Sequence, residues 1–295
     1  MIPYFPTPYP DELLYSVIAR YSEHCNKSTS KTTSDLFQSN AERVNFYCPK
    51  KVNVLFENIR STIRIDQEKL IAKHTLQPFV VAFASPRRRE VIRQYMEGYN
   101  NDFTFAKTDG MHAYSFKYCP LCSTVDRQDL GETYWRRSHN IPFVLSCTIH
   151  KCDLVQPALS NREMRDGNIL SAEASLFRIT DVTKNFPLKN FDQRCIDILN
   201  GAKPMDTQEI YRRSLEFGCA KKLTSRVVIN RNFIQDVRRY VDQNYPYLHH
   251  LSPLLAHQIP RIINGNWGGV FPMIILVLED FLRELELQSK KTLKQ

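Results

Sequence analysis

Tyr118-Cys119-Pro120-Leu121-Cys122 and Cys147-Thr148-Ile149-His150, with 24 residues between Cys122 and Cys147, set four soft metal ligands in two halves of C-x2-C type. Zn²⁺ favours a closed tetrahedron of thiolate and imidazole, and two residues between paired ligands let one tight turn aim both at the same ion. The spacing therefore predicts a structural zinc site held by Cys119, Cys122, Cys147 and His150, with Pro120 stiffening the first turn. A fully ligated zinc keeps no open position for water, so the site is expected to hold structure and not to hydrolyse. Cys152 offers a spare thiol in the run C-x2-H-x-C; a small buried residue is its expected role.

Outside this pair of knuckles the chain reads as helical. It has 295 residues, more than the roughly 100 to 200 of one domain, and 42% hydrophobic content to build more than one core. Four prolines in residues 3–10 precede Asp11 to Tyr21, where apolar side chains at 13, 14, 17, 18 and 21 make a helical stripe, with Asp11 and Glu12 expected in its first turn. Further helices are expected near 34–37, over 52–63, over 65–74 and over 87–99, the last with Pro86 at its first position. Short helices between polar turns suit a helix-turn-helix-like domain over 1–108. Residues 109–157 lose the 3.6 period and read as a metal-nucleated ribbon, so a zinc-binding module is placed at 109–165. Helices return over 191–199, 207–217 and 232–243, and residues 271–285, apolar nearly all round, are expected to be a buried central helix of a C-terminal helical domain over 166–295. The fold class is thus mainly α, with a helix-turn-helix-like N-terminal domain, a central zinc-ribbon-like module and a C-terminal helical bundle.

The formal charge of +9 favours a polyanionic partner. Arg87, Arg88 and Arg89 crowd a helix N-terminus against its dipole, and Arg136 and Arg137 lie beside the zinc region; guanidinium forks suit phosphate oxygens, so these five are the candidate contacts to double-stranded DNA. Trp135 reads as zinc-module core. His249, His250 and His257 pair with nothing at ligand spacing and read as ordinary histidines. The start of the chain has no basic region ahead of an apolar helix, which argues against secretion and for reduced thiols in a cytoplasm. The apolar stretch from Val270 is interrupted by Glu279-Asp280 and is too short to span a bilayer, so no membrane partner is expected. No G-x4-G-K-[ST], G-x-S-x-G, H-E-x-x-H or G-x-G-x-x-G occurs. The residues describe a protein that binds and does not catalyse.

The opening Phe5-Pro6-Thr7-Pro8-Tyr9-Pro10-Asp11-Glu12-Leu13-Leu14-Tyr15-Ser16-Val17-Ile18-Ala19-Arg20 closely resembles that of the TnsD/TniQ family of transposon target-site selection proteins of Tn-seven-like elements, in which F-P-x-P-Y, E-L, Y-S and A-R recur. His74-Thr75-Leu76-Gln77-Pro78 is similar to the family's H-T-L-x-P element. Tyr118-Cys119-Pro120-x-Cys122, Trp135, Pro142 and Cys147-x-x-His150 look like its zinc region in order and spacing, although Thr148 and Lys151 stand where the family often has proline or glycine. The resemblance covers roughly residues 3–155.

It implies a non-enzymatic adaptor in DNA transposition, active in the bacterial cytoplasm and at the nucleoid when on DNA. Such an adaptor selects the insertion site by reading DNA or by docking on a CRISPR effector complex, and then recruits a TnsC-like AAA+ ATPase regulator, which brings the transposase. A short TniQ-like form and the front part of a TnsD-like protein both stay open. Tyr4, Phe5 and Tyr9 on the rigid Pro-rich strip are the expected ATPase anchors, the competing role being a clasp on the protein's own first helix. Two other classes fit the same residues: a zinc-containing sequence-specific transcription regulator, which predicts a dimer on a palindrome, and a metal-dependent nuclease, which predicts cleavage with Mg²⁺ or Mn²⁺.

Overall fold

The computed structural model describes residues 2–40, 42, 44–45, 47–99, 116–142, 144–157, 168–175, 190–222, 227–245, 252–265 and 272–292. Among them the protein is mainly α: α1 Leu14–His24, α2 Thr29–Phe37, α3 Val52–Ile59, α4 Gln67–His74, α5 Gln77–Ala82, α6 Pro86–Glu97, α7 Pro120–Leu130, α8 Arg137–Asn140, α9 Ala172–Ser175, α10 Asn190–Leu199, α11 Thr207–Glu216, α12 Arg231–Asn244, α13 Ser252–Ile263 and α14 Pro272–Thr292. Two antiparallel hairpins complete it, β1 Ser146–Cys147 with β2 Cys152–Asp153, and β3 Ala220–Lys222 with β4 Val227–Ile229. His249 and His250 lie outside the described residues, and His257 is exposed on α13.

The chain packs into two compact units. One compact unit carries the described residues up to Gly201 except 82–85, and the second carries those four together with the residues from Ala202 onward. The cysteine-bearing segment 116–157 and the helices before it therefore share one unit.

That union begins where α1 begins. The helix starts three residues later than its stripe suggests, because Asp11 takes a left-handed backbone at φ 59 and Glu12 pairs antiparallel with Arg136. Asp is among the few side chains that tolerate this region. Leu13 N donates to Trp135 O at 2.9 Å, and Arg137 N donates to Asp11 O at 2.7 Å. The Asp11 carboxylate then accepts from Ser138 N and Oγ, so the residue expected to complement a helix dipole instead fastens the 135–138 segment to the N-terminal helices. Beneath the pairing, Leu13, Leu14, Val17, Ile18 and Tyr21 of the α1 stripe are buried with Trp135, which is fully enclosed and stacked on Phe116 at 4.5 Å. Around this core α2 packs on α1 and α3, and α3 packs on α4 and α6.

Buried charge is concentrated at the same place. Glu12 is wholly buried and accepts from Arg20 at 2.9 Å and from Tyr9 N at 2.9 Å. Arg20 also bonds Glu132 through Nε at 2.8 Å and lies over the Tyr9 ring at 3.8 Å. Burial pushes the Glu12 carboxyl up to about 7 against the pull of Arg20. His74 closes α4 and donates from Nδ1 to Glu12 O at 2.8 Å, since a carbonyl can only accept.

In the second unit α11, α12, α13 and α14 pack on one another, and α11 also meets β3. Met273 to Leu278, Phe281 and Leu282 of α14 are buried, as their apolar run requires. Glu279 interrupts that run without leaving the core: its carboxylate caps the chain at Met205 N, 3.0 Å away. No helix among the described residues is long and apolar enough to cross a membrane.

Burial lowers the His74 pKa from its usual 6.5, with Arg137 and Lys73 also opposing the cation and Asp11 favouring it. The unfolded chain therefore binds the proton first, and this contribution to stability, present above pH 6.5, falls as the pH drops through that value. The raised Glu12 carboxyl acts in the opposite sense between its ordinary 4.5 and about 7. The difference in urea midpoint between wild type and His74→Gln, followed from pH 8 to pH 5, is expected to shrink toward acid; a constant difference removes His74 from the acid limb.

Candidate metal centre

Two local structures carry the ligands. Cys119 is the N-cap residue of α7 and its sulfur accepts from Cys122 N, while Pro120 takes the first helical turn, where its missing N–H costs nothing. Pro120 thus starts a helix inside what the sequence presents as an irregular ribbon. Periodicity gives no warning of α7, because its buried residues are Cys122, Ser123 and Asp126 rather than an apolar stripe. Gly131, in the left-handed conformation, ends it.

The second half is the turn between β1 and β2. Cys147 and Cys152 are directly opposed in the ladder, Lys151 turns the chain at φ 54, and Lys151 N donates to Cys147 O at 2.7 Å. Below the knuckles Tyr118 and Val155 exchange both backbone bonds, at 3.0 and 2.8 Å.

The four expected ligands converge. The sulfurs of Cys119, Cys122 and Cys147 and a ring nitrogen of His150 all lie within 4.8 Å of one another. Cys122 Sγ stands 3.7 Å from Cys147 Sγ, and His150 Nδ1 is 3.5, 3.2 and 3.8 Å from Cys119, Cys122 and Cys147. A tetrahedron with Zn–S of about 2.3 Å and Zn–N of about 2.0 Å has edges of about 3.8 Å between sulfurs and about 3.5 Å from sulfur to nitrogen. The donors match that size, and three soft thiols with one imidazole match the chemistry, so the cluster fits a structural zinc ion. Hydrogen bonds from Cys122 and Cys147 lower the Cys119 thiol pKa from its ordinary value, and the same contacts raise that of Cys122. The three sulfurs are buried and the imidazole half-buried, with Ile149 beside it exposed at the tip of the turn.

Outer contacts, silent in the sequence because the partners are far apart, fix these elements. Asp192 of α10 accepts from Ser146 N at 3.0 Å and from Ser146 Oγ, one residue before Cys147. Glu173 of α9 accepts from Arg127 of α7 at 2.9 Å and from Thr133 N at 3.0 Å. The buried Lys117 ammonium donates to Ile141 O and Val144 O, at 2.8 and 2.5 Å.

The expected DNA contacts separate into two groups. Arg87 and Arg89 are exposed and Arg88 is partly so, all in the first turn of α6. Arg136 and Arg137 belong instead to the interior. Arg136 pairs with buried Asp126 at 2.6 Å over the Tyr134 ring, and Arg137, 3% exposed, donates to Ala72 O at 2.5 Å, Thr75 O at 3.3 Å and the Asp11 carboxylate at 3.4 Å. Both guanidinium groups are thus engaged by protein partners, Arg137 in the interior and Arg136 at its edge with 14% of its side chain exposed. The aromatic strip divides as well. Phe5 is buried against Tyr21, and Tyr9, half-buried, donates to Glu132 at 3.0 Å under Arg20. Tyr4 remains exposed at 44%, its hydroxyl bonded to His24 at 2.7 Å.

Residues 3–154, just over half of the chain, match the TniQ family. The chain belongs to the TniQ family. It is also similar to the transposon Tn7 transposition protein TnsD of Escherichia coli, with 29% identity over 153 residues. That alignment covers 50% of this chain and 30% of the relative, so this TniQ chain corresponds to less than a third of the relative's length. The TniQ match spans the Pro-rich strip, the α1 core, His74 and the metal cluster, all within the first unit.

Structural zinc contributes about 10 kcal/mol or more to small domains that cannot fold without it. Cys122→Ser protein is expected to carry well under one zinc per chain by elemental analysis and to melt lower. Full metal content with an unaltered melt takes Cys122 out of the ligand set.

Proposed function

We propose that this protein is a target-site selection adaptor in DNA transposition, working without catalysis of its own in the bacterial cytoplasm. What supports this most is the convergence of the family's recurring residues on one joint. Glu12, Ser16 and Arg20 of the opening motif, His74 of the H-T-L-x-P element and Trp135 of the zinc region meet there, with Trp135 N donating to Ser16 Oγ at 3.0 Å. The residues by which the chain resembles TnsD-type selectors are thus the ones that hold its first unit together. A name that speaks of transposition belongs to the relative, and it comes to this chain through that shared unit.

In this reading zinc is structural and the adaptor works by surfaces. Double-stranded DNA contacts the first turn of α6 through Arg87, Arg88 and Arg89, and a TnsC-like AAA+ ATPase docks near the exposed Tyr4–His24 edge, with the transposase or a CRISPR effector complex recruited in turn. Rigid surfaces lose little entropy on docking, which suits a protein that bridges partners.

Each phosphate neutralised on duplex DNA steepens the dependence of log K on log salt by about 0.9. The Arg87→Ala, Arg88→Ala double variant is therefore expected to lower the slope by about 2, and an unchanged slope removes α6 from the interface. The wider reading is tested by binding to a purified AAA+ transposition regulator, with and without target DNA. Retention on the ATPase, lost in Tyr4→Ala, is expected; a dimer on a palindrome with no affinity for the ATPase would move the assignment to a transcription regulator.

A further inference from the structure

One further sulfur lies beside the four convergent donors. Cys152 Sγ lies 3.4 Å from Cys119 Sγ, within the spacing of two thiolates on one zinc, and the side chain is 5% exposed. Directly opposed residues of an antiparallel pair send their side chains to the same face, so the register Cys147↔Cys152 aims both thiols at the same space. All four cysteines pack into one buried cluster with Leu154 against it.

The ligands differ in how firmly they are held. Cys119 and Cys122 sit at the start of α7, and Cys147 is in a strand anchored through Ser146 to Asp192. His150 is half-buried and stands on the four-residue turn itself, next to Ile149, which is 63% exposed. Of the four expected ligands it is the one least tied to other elements.

We propose that Cys152 is a reserve metal ligand, so that the centre has two alternative sets, Cys119–Cys122–Cys147–His150 and Cys119–Cys122–Cys147–Cys152. This rests on the zinc reading of the cluster. Exchange breaks the bond from the ion to the His150 nitrogen and forms one to the Cys152 sulfur, whose thiol gives up its proton to solvent or to the departing imidazole; no electron is transferred. The swap needs rotation about the Cys152 Cα–Cβ bond and release of the 148–151 turn, while the three buried sulfurs keep the ion. The consequence is a turn tip able to move without loss of the metal that folds the module.

Cobalt reports the number of sulfurs, because thiolate-to-cobalt absorption grows with each thiolate bound. The full chain is stripped, reloaded with Co²⁺ under reducing conditions, and read for stoichiometry and near-ultraviolet intensity. Wild type and Cys152→Ser are expected to bind one cobalt with equal, three-thiolate intensity. His150→Ala should still bind one cobalt, with intensity higher by about one third as a fourth sulfur joins the three. His150→Ala with Cys152→Ser should lose that increment and bind the ion more weakly. A His150→Ala protein that binds no cobalt, or binds it at unchanged intensity, overturns the proposal while leaving the metal site intact. Wild type already at four thiolates overturns it by making Cys152 the resident ligand, and wild type that takes up no cobalt overturns the zinc reading along with it.

Discussion

Asp11 to Leu13 and Trp135 to Arg137 pair backbone to backbone, and the first unit is organised by that short contact. Two segments more than a hundred residues apart exchange the bonds Leu13 N to Trp135 O and Arg137 N to Asp11 O. Such a contact is expensive to form, because a long loop must close before any bond compensates. It persists because everything around it is buried and bonded: Glu12 between Arg20 and Tyr9 N, His74 on Glu12 O, Trp135 N on Ser16 Oγ, and Arg137 filling the carbonyls of Ala72 and Thr75. A buried ion pair is weak evidence for net stability, but breaking one leaves an uncompensated charge, so the network enforces one arrangement against others.

The cysteine–histidine cluster lies in the same unit as this joint. Cys119 and Cys122 set the start of α7, Cys147 and His150 set the hairpin, and between them run Trp135 to Asn140, whose residues face α1 and α4. An ion that fixes both knuckles also limits how far that intervening stretch can move. Arg136 and Arg137 illustrate the division: of the five arginines that read as DNA contacts these two are paired with Asp126 and with interior carbonyls, while Arg87 and Arg89 of α6 are exposed.

Much of this was legible in the sequence, for stated reasons. The ligands could be read because two-residue spacing is a local geometric demand, and α1, α3, α4, α6, α10, α11, α12 and α14 because an apolar stripe or run is a local pattern. α7 was not legible, since its inward face is made of cysteine, serine and aspartate. α13 was hidden by Pro253 near its start and Pro260 inside it. The start of α1 was misplaced because Asp11 and Glu12 look like first-turn acids, and nothing nearby says that Ser138 and Arg136 will claim them. The fate of Phe5 and Tyr9 turned on Arg20 and Glu132, partners that no local rule connects. For the start of α1 and for the aromatic strip, what escaped was a contact between distant residues; for α7 and α13 it was the absence of a local apolar stripe or the presence of prolines.

The candidate metal-binding segment and the N-terminal helices lie in one compact unit, so they are expected to open together. Hydrogen exchange of the full chain, followed by mass spectrometry before and after chelation, tests it directly. Loss of metal is predicted to raise exchange at residues 118–155 and, with it, at Leu13 and the first turn of α1. If 118–155 opens while residues 11–24 and 74–76 keep their protection, the joint does not depend on the metal and the account is contradicted.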